Sequence, residues 1–114
     1  MNIQIFGTKK CKDTKKAERF FKERGIKFHT RDLSEKGLSK GELDNISRVF
    51  DLEDLMDKEG KQYKKRNLAF IMHDVEEELL EDGLLFKTPI VRNGKDVTLG
   101  NDPDTWKSWI DAEK

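Results

Sequence analysis

The sequence predicts an α/β fold in which a mixed β-sheet is flanked by helices, in the order βαβ, a helical stretch, then ββα. Three observations carry this. Short runs near both ends combine β-prone residues with turn signals; apolar residues recur at helical spacing after those runs; and the middle of the chain carries helix-capping patterns. The 114 residues lie within the size of one ordinary domain, and no Pro/Gly/Ser-rich stretch divides them. The expectation is a single domain over residues 1–114, with a mainly helical insertion at about 38–82.

Ile3, Ile5 and Phe6 form a β-prone run that stops at Gly7-Thr8, a strand running into a loop. From Lys12 to Arg24, the residues Ala17, Phe20, Phe21 and Arg24 mark one inward stripe of a helix, lysines fill the other face, and Gly25 supplies the stop. Ile26 to Thr30 then alternates apolar and polar residues and reads as a second strand. The helical crossover between these strands implies that they pair in parallel. Cys11 falls at the strand-to-helix junction of this unit.

Ser39 and Glu42 have the spacing of a capping box, followed by Leu43, Ile46, Val49 and Phe50 at helical spacing; Leu52, Leu55 and Met56 suggest a further short helix. Lys58 to Arg66 is basic and poorly patterned. Leu68, Phe70, Ile71 and Met72 lead to Asp74 and Glu77, a second capping pattern ahead of Leu79-Leu80, and Gly83 ends the region. Pro89-Ile90-Val91 starts a strand, Asn93-Gly94 signals a tight hairpin, and Asp96 to Leu99 returns antiparallel to Gly100. Asp102 before Pro103 fits an N-cap with proline at the first helical position, which directs Trp106, Trp109 and Ile110 inward. This is the thioredoxin order with a helical insertion.

Charged residues make up 40% of the chain, but 23 basic and 23 acidic residues cancel, so there is neither net self-repulsion nor a global basic field for nucleic acid or anionic lipid. The start lacks the basic region and long apolar run of a signal peptide, and nowhere are there about 18 consecutive apolar residues. A soluble, cytoplasmic protein is expected, with no direct nucleic-acid partner and no membrane partner. His29 and His73 have no second ligand at metal spacing, Trp106 with Trp109 and Phe20 with Phe21 read as core, and Glu76-Glu77-Glu78 reads as a solvated face.

The one cysteine can form neither an internal disulfide nor a cysteine-rich zinc site. An ordinary thiol of pKa about 8.5 is only about 3% thiolate at pH 7, so a nucleophilic role requires a lowered pKa. A helix N-terminus contributes typically about 0.3–1 kcal/mol at exposed positions, less than the ~2.7 kcal/mol of a two-unit shift. Lys10, Lys12 and Lys15, backbone N–H groups and the Thr14 hydroxyl are the candidates to supply the rest, with Asp13 acting against them. Otherwise Cys11 is a small buried hydrophobe. Lys15 either orients a substrate anion or is one more solvated lysine of a basic face.

The segment Phe6-Gly7-Thr8-Lys9-Lys10-Cys11-Lys12-Asp13-Thr14-Lys15-Lys16-Ala17 resembles the opening of ArsC-type arsenate reductases and the related Spx/YffB proteins, in which a single nucleophilic cysteine is followed four positions later by a basic residue. Phe28 to Leu33, Phe86-Lys87-Thr88-Pro89-Ile90-Val91 and Leu99-Gly100 extend the resemblance over nearly the whole chain, loosely between Leu52 and Leu80. It implies a thioredoxin-like fold, a cis Thr88–Pro89 bond beside the thiol, and a catalytic Cys11. It also implies substrate binding by Lys10, Thr14, Lys15, Lys87, Thr88 and Pro89, where Thr88 and Pro89 either present backbone hydrogen bonds to a thiol peptide or merely shape a turn.

Two departures narrow that implication. Arsenate-reducing members hold the oxyanion with arginines, one of them just before the proline; here that position is Thr88, and the mid-chain arginine aligns with Glu59, with Arg66 and Lys58 as nearby substitutes. Arginine's planar fork gives the bidentate geometry an oxyanion needs and lysine's ammonium does not, which argues against arsenate as substrate. Spx-type regulators carry a second cysteine three positions after the first, where this chain has Thr14. The resemblance thus implies a monothiol reductase with no bound cofactor and with glutathione or another thiol as co-substrate, acting on a small oxidised substrate. The alternative is a Spx-like binding module without catalysis, with RNA polymerase as the implied partner.

Overall fold

Strand order decides where the thiol falls. In the computed structural model, which describes residues 1–113, β1 (Ile3–Gly7), β2 (Phe28–Asp32), β3 (Ile90–Asn93) and β4 (Asp96–Leu99) form one sheet in the order β2-β1-β3-β4. β1 is parallel to β2 and antiparallel to β3, and β3 is antiparallel to β4. With α1 (Lys12–Glu23) and α6 (Pro103–Ala112), this is the predicted α/β class, a mixed sheet flanked by helices.

The chain divides into two compact units, the first made of Met1–Asp32 with the chain from Thr88 onward, the second of Leu33–Lys87. In the first, Ile3 and Ile5 of β1 and Val91 of β3 meet Ala17 and Phe21 of α1 and Trp106 and Trp109 of α6 in one buried cluster. Each large apolar side chain so buried contributes roughly 1.5–3 kcal/mol. Phe20 sits edge-on to Phe21 and Trp106, with ring centres 5.1 and 5.3 Å apart. The Trp106 Nε1–H donates to Thr98 Oγ1 at 2.7 Å, so neither buried polar group is left unpaired. Phe6 and Ile90, opposite one another in the ladder, turn to the other side of the sheet and are buried as well.

The second unit is helical: α2 (Lys40–Ser47), α3 (Leu52–Leu55), α4 (Lys61–Lys65) and α5 (Val75–Glu81), with 3₁₀ turns at Leu68–Phe70 and Gly83–Leu85. Ser39 and Glu42 close a full capping box on α2, and Asp74 caps α5 by accepting from the Glu77 N–H at 3.1 Å. Leu43, Ile46, Leu55, Leu68, Leu79 and Leu85 are buried. Leu55 O accepts from Lys87 N–H at 2.8 Å, which ties the end of this unit to α3. Among the described residues no helix is long and apolar enough to cross a membrane.

Local differences from the sequence expectation have physical causes. The second strand begins at Phe28, not Ile26, because Ile26 completes the stop of α1. Gly25 adopts a positive φ of 68°, its N–H bonds Lys22 O, and the Ile26 N–H bonds Phe21 O, the paired bonds of a Schellman motif. Arg24 does not join the inward stripe; its guanidinium lies 3.8 Å from the Phe20 ring centre and Nη1–H donates to Phe20 O. Val49 is 49% exposed because α2 ends at Ser47 and the helical period with it. The hairpin turns on Gly94-Lys95, with Asn93 paired to Asp96, and Gly94 supplies φ of 61° at the first central position of a II′-type turn. The basic stretch without pattern contains α4, whose five residues bury none of their side chains.

Candidate functional site

Cys11 is the N-cap of α1, with extended backbone at φ −81° and ψ 117°. Its N–H donates to Thr8 O at 3.2 Å and its carbonyl accepts from the Lys15 N–H at 3.3 Å, so the turn after β1 is closed and the helix starts at the cysteine. The side chain of an N-cap residue faces the free N–H groups of the first turn, and here that side chain is a thiol. The thiol is half-buried and donates from Sγ to Thr88 O at 3.7 Å. Thr88 leads into β3, and Thr88–Pro89 is cis, as the resemblance implied.

Thr14, one turn along α1, is 2% exposed, and its Oγ1 has no hydrogen-bond partner among the described residues. An orphaned buried hydroxyl is costly, and a thiolate at Cys11 offsets the cost by turning the sulfur from a weak acceptor into a strong, charged one. The pKa of Cys11 follows this logic. Partial burial pushes it up, but donation from the Thr14 and Thr88 side chains and from the backbone N–H groups of Thr14 and Asp13 outweighs burial, and the net direction is down from an ordinary cysteine. Hydrogen bonds, rather than the charges of Lys10, Lys12 and Lys15, are the leading causes of the lowering.

Of the residues singled out from sequence, the structure brings Cys11, Thr14 and Thr88 together, with Pro89 buried behind Thr88. Lys10 and Lys15 flank Cys11 in the chain, and both are exposed without an ion pair among the described residues. Lys87 is exposed and belongs to the second unit. Gly7 reads in the sequence only as the end of a strand, and its part in the site was missed. A Cβ there would collide with the Thr14 side chain, so the glycine that ends β1 makes room for the hydroxyl facing the thiol.

Neither mid-chain substitute for an oxyanion-binding arginine has a free charge. The Arg66 guanidinium is held by Glu78 and by Asp82, the latter at 3.3 Å, with Glu81 at 4.0 Å, and Gln62 Nε2–H also donates to Asp82 at 2.6 Å. Lys58 is paired with Glu53.

A βαβ unit, a nucleophile-type residue capping its helix and a cis-proline entering the next strand define a thioredoxin-fold thiol protein. More narrowly, residues 6–109 match the model of the ArsC family, and the chain belongs to that family. It is 29% identical over 114 residues to the uncharacterized protein YusI of Bacillus subtilis, covering 94% of this chain and 97% of that one. It is 27% identical to the global transcriptional regulator Spx 2 of Oceanobacillus iheyensis, covering 96% and 84%. The solved arsenate reductase from Vibrio cholerae shares the fold, with a TM-score of 0.79 at 19% identity over 95% of this chain and 97% of that one.

Proposed function

We propose that this protein is a monothiol, thiol-dependent reductase whose nucleophile is Cys11. The observation that supports it most is a half-exposed thiol whose pKa is lowered by hydrogen-bond donors held in a folded turn and helix start. The Cys11 thiolate attacks one sulfur of a disulfide R–S–S–R′. A Cys11–S–S–R bond forms, the S–S bond breaks and R′–S⁻ leaves. With one cysteine in the chain, a second, external thiol such as glutathione must then attack the mixed disulfide, releasing R–S–S–G and the Cys11 thiolate. Thr14 and the backbone N–H groups hold the thiolate, Thr88 offers backbone polar groups to the incoming peptide while Pro89 shapes the turn behind it, and Lys10 and Lys15 supply cations for its carboxylates.

The commitment of Arg66 and Lys58 to carboxylates, together with Thr88 before the proline, supports the expectation that arsenate is not the substrate. The test is reduction of a small mixed disulfide by glutathione, with arsenate assayed in parallel. Disulfide turnover lost in Cys11→Ser, with negligible arsenate turnover, is the expected result; arsenate turnover that Cys11→Ser abolishes contradicts the choice of substrate.

One observation favours a second reading, a Spx-like protein-binding module with RNA polymerase as partner. Phe70, Ile71 and Met72 in the second unit are 87%, 53% and 102% exposed, an apolar run uncovered in the chain alone. Immobilised protein should then retain purified RNA polymerase, and Phe70→Ser/Met72→Ser should abolish retention. Equal retention by the variant removes the support this run gives.

A further inference from the structure

Lys12, Lys15, Arg19 and Lys22 recur along α1 at i, i+3, i+7 and i+10. At 100° per residue this spacing gathers them within about 80° of arc, a stripe of about 15 Å. All four are exposed and none forms an ion pair among the described residues, whereas Lys16 beside them pairs with Asp13 at 3.7 Å. Cys11 stands at the N-terminal end of the stripe. Along its length lies a hollow lined by Lys15, Glu18, Arg19, Lys22, Glu23 and Phe28. Phe28 is half-buried against the core cluster and gives the hollow an apolar wall. Glu18 is engaged by the Thr30 hydroxyl at 3.3 Å.

We propose that this stripe is the docking surface for an acidic segment of a protein substrate, carrying an apolar side chain for Phe28 and presenting a disulfide sulfur to Cys11. The inference rests on the reading of Cys11 as nucleophile and names the substrate class. A stripe of about 15 Å matches four to five residues of extended peptide, more than a tripeptide thiol can span. Four cations with no ion pair among the described residues complement carboxylates, the Phe28 wall suits an apolar side chain rather than a sugar-phosphate backbone, and a nucleic acid brings no sulfur to Cys11. Each exposed pair is weak, so the surface works by steering and by summing several contacts.

The test uses the full chain and eight-residue peptides whose single cysteine is joined to thionitrobenzoate. The Cys11 thiolate attacks the peptide sulfur; the Cys11–peptide disulfide forms, and thionitrobenzoate leaves as a coloured thiolate. An acidic peptide with one leucine should react about tenfold faster than its lysine-substituted twin at low salt, with the advantage falling as salt rises. Arg19→Glu/Lys22→Glu should erase the advantage and Arg19→Gln/Lys22→Gln should halve it or more, while both variants react normally with neutral dithiodipyridine. Docking is read separately by fluorescence polarisation of a labelled acidic peptide with serine for cysteine. Equal peptide rates, an advantage that survives charge reversal, or single-stranded DNA binding more tightly than the acidic peptide overturns the proposal. Failure of every disulfide to react with Cys11 overturns the reductase reading instead, and the polarisation result still decides whether the stripe docks acidic segments.

Discussion

Thr14 carries a buried hydroxyl with no hydrogen-bond partner among the described residues, and that makes its removal informative in two directions. Thr14→Val keeps the shape and deletes the donor. A hydrogen bond to a charged acceptor contributes about 1.5–3 kcal/mol, so its loss should raise the Cys11 pKa by about 1–2 units and slow alkylation at pH 7 several-fold or more. At acid pH the same substitution should stabilise the protein, because it removes an orphaned polar group; denaturant unfolding at pH 5 checks this. The sign of the wild-type pH dependence follows from the lowered thiol. The thiolate's contribution to stability is fully present above the unfolded-state value of about 8.5 and is lost as pH falls through the folded value. Wild type should therefore gain stability over Cys11→Ser as pH rises through that window. The residue types were legible in the sequence, since Cys11 and Thr14 stand in the expected places. The candidates for activating the thiol were legible as well, since the Thr14 hydroxyl and backbone N–H groups stood beside the lysines; their ranking was not, because it depends on distances that only the fold sets.

At the scale of elements, capping chemistry was the most legible signal. Ser39 with Glu42, Asp74 with Glu77, and Asp102 before Pro103 each start the helix they predicted. Ser39→Ala should cost about 1 kcal/mol in denaturant unfolding, and Ser39→Asp should leave stability near wild type. The ends of elements were harder to read. Ile26 looks like the first residue of an alternating strand, and only its N–H bond to Phe21 O reveals it as the last residue of a helix stop. Asn93-Gly94 marks a hairpin correctly but not its register, which pairs Asn93 with Asp96 and leaves Gly94 to take the positive φ. Gly7 shows why close approach escapes a reading along the chain: its neighbour Thr14 comes from the next element. Gly7→Ala should cost at least about 1–3 kcal/mol by overpacking and should reduce Cys11 reactivity along with stability.

Across the whole molecule, neutrality conceals a sorting of charge. The chain has no net charge, yet along α1 Lys12, Lys15, Arg19 and Lys22 form no ion pair among the described residues, while Arg66 in the second unit is surrounded by Glu78, Glu81 and Asp82. Arg66→Ala strands carboxylates that are half-buried, and should destabilise the protein by about 1–3 kcal/mol without changing the alkylation rate of Cys11. A role for Arg66 in substrate binding would instead show as lost disulfide turnover at unchanged stability. The fold class was legible because period-2 and helical patterns alternate in an order that few topologies satisfy. The partners of Arg66 and Lys58 were not, since Glu78 reads only as part of a solvated face and nothing in the sequence pairs Glu53, Glu81 or Asp82 with a particular cation.

The proposed chemistry depends most on an activated thiol at the start of α1. Its most direct measurement is the rate of Cys11 alkylation by iodoacetamide in the folded wild type, followed from pH 5 to pH 10 beside the Thr14→Val variant. A wild-type midpoint below the ordinary cysteine value of about 8.5, moved upward in the variant, is the predicted result. A midpoint at or above that value, or a thiol that does not react until the protein unfolds, would contradict it.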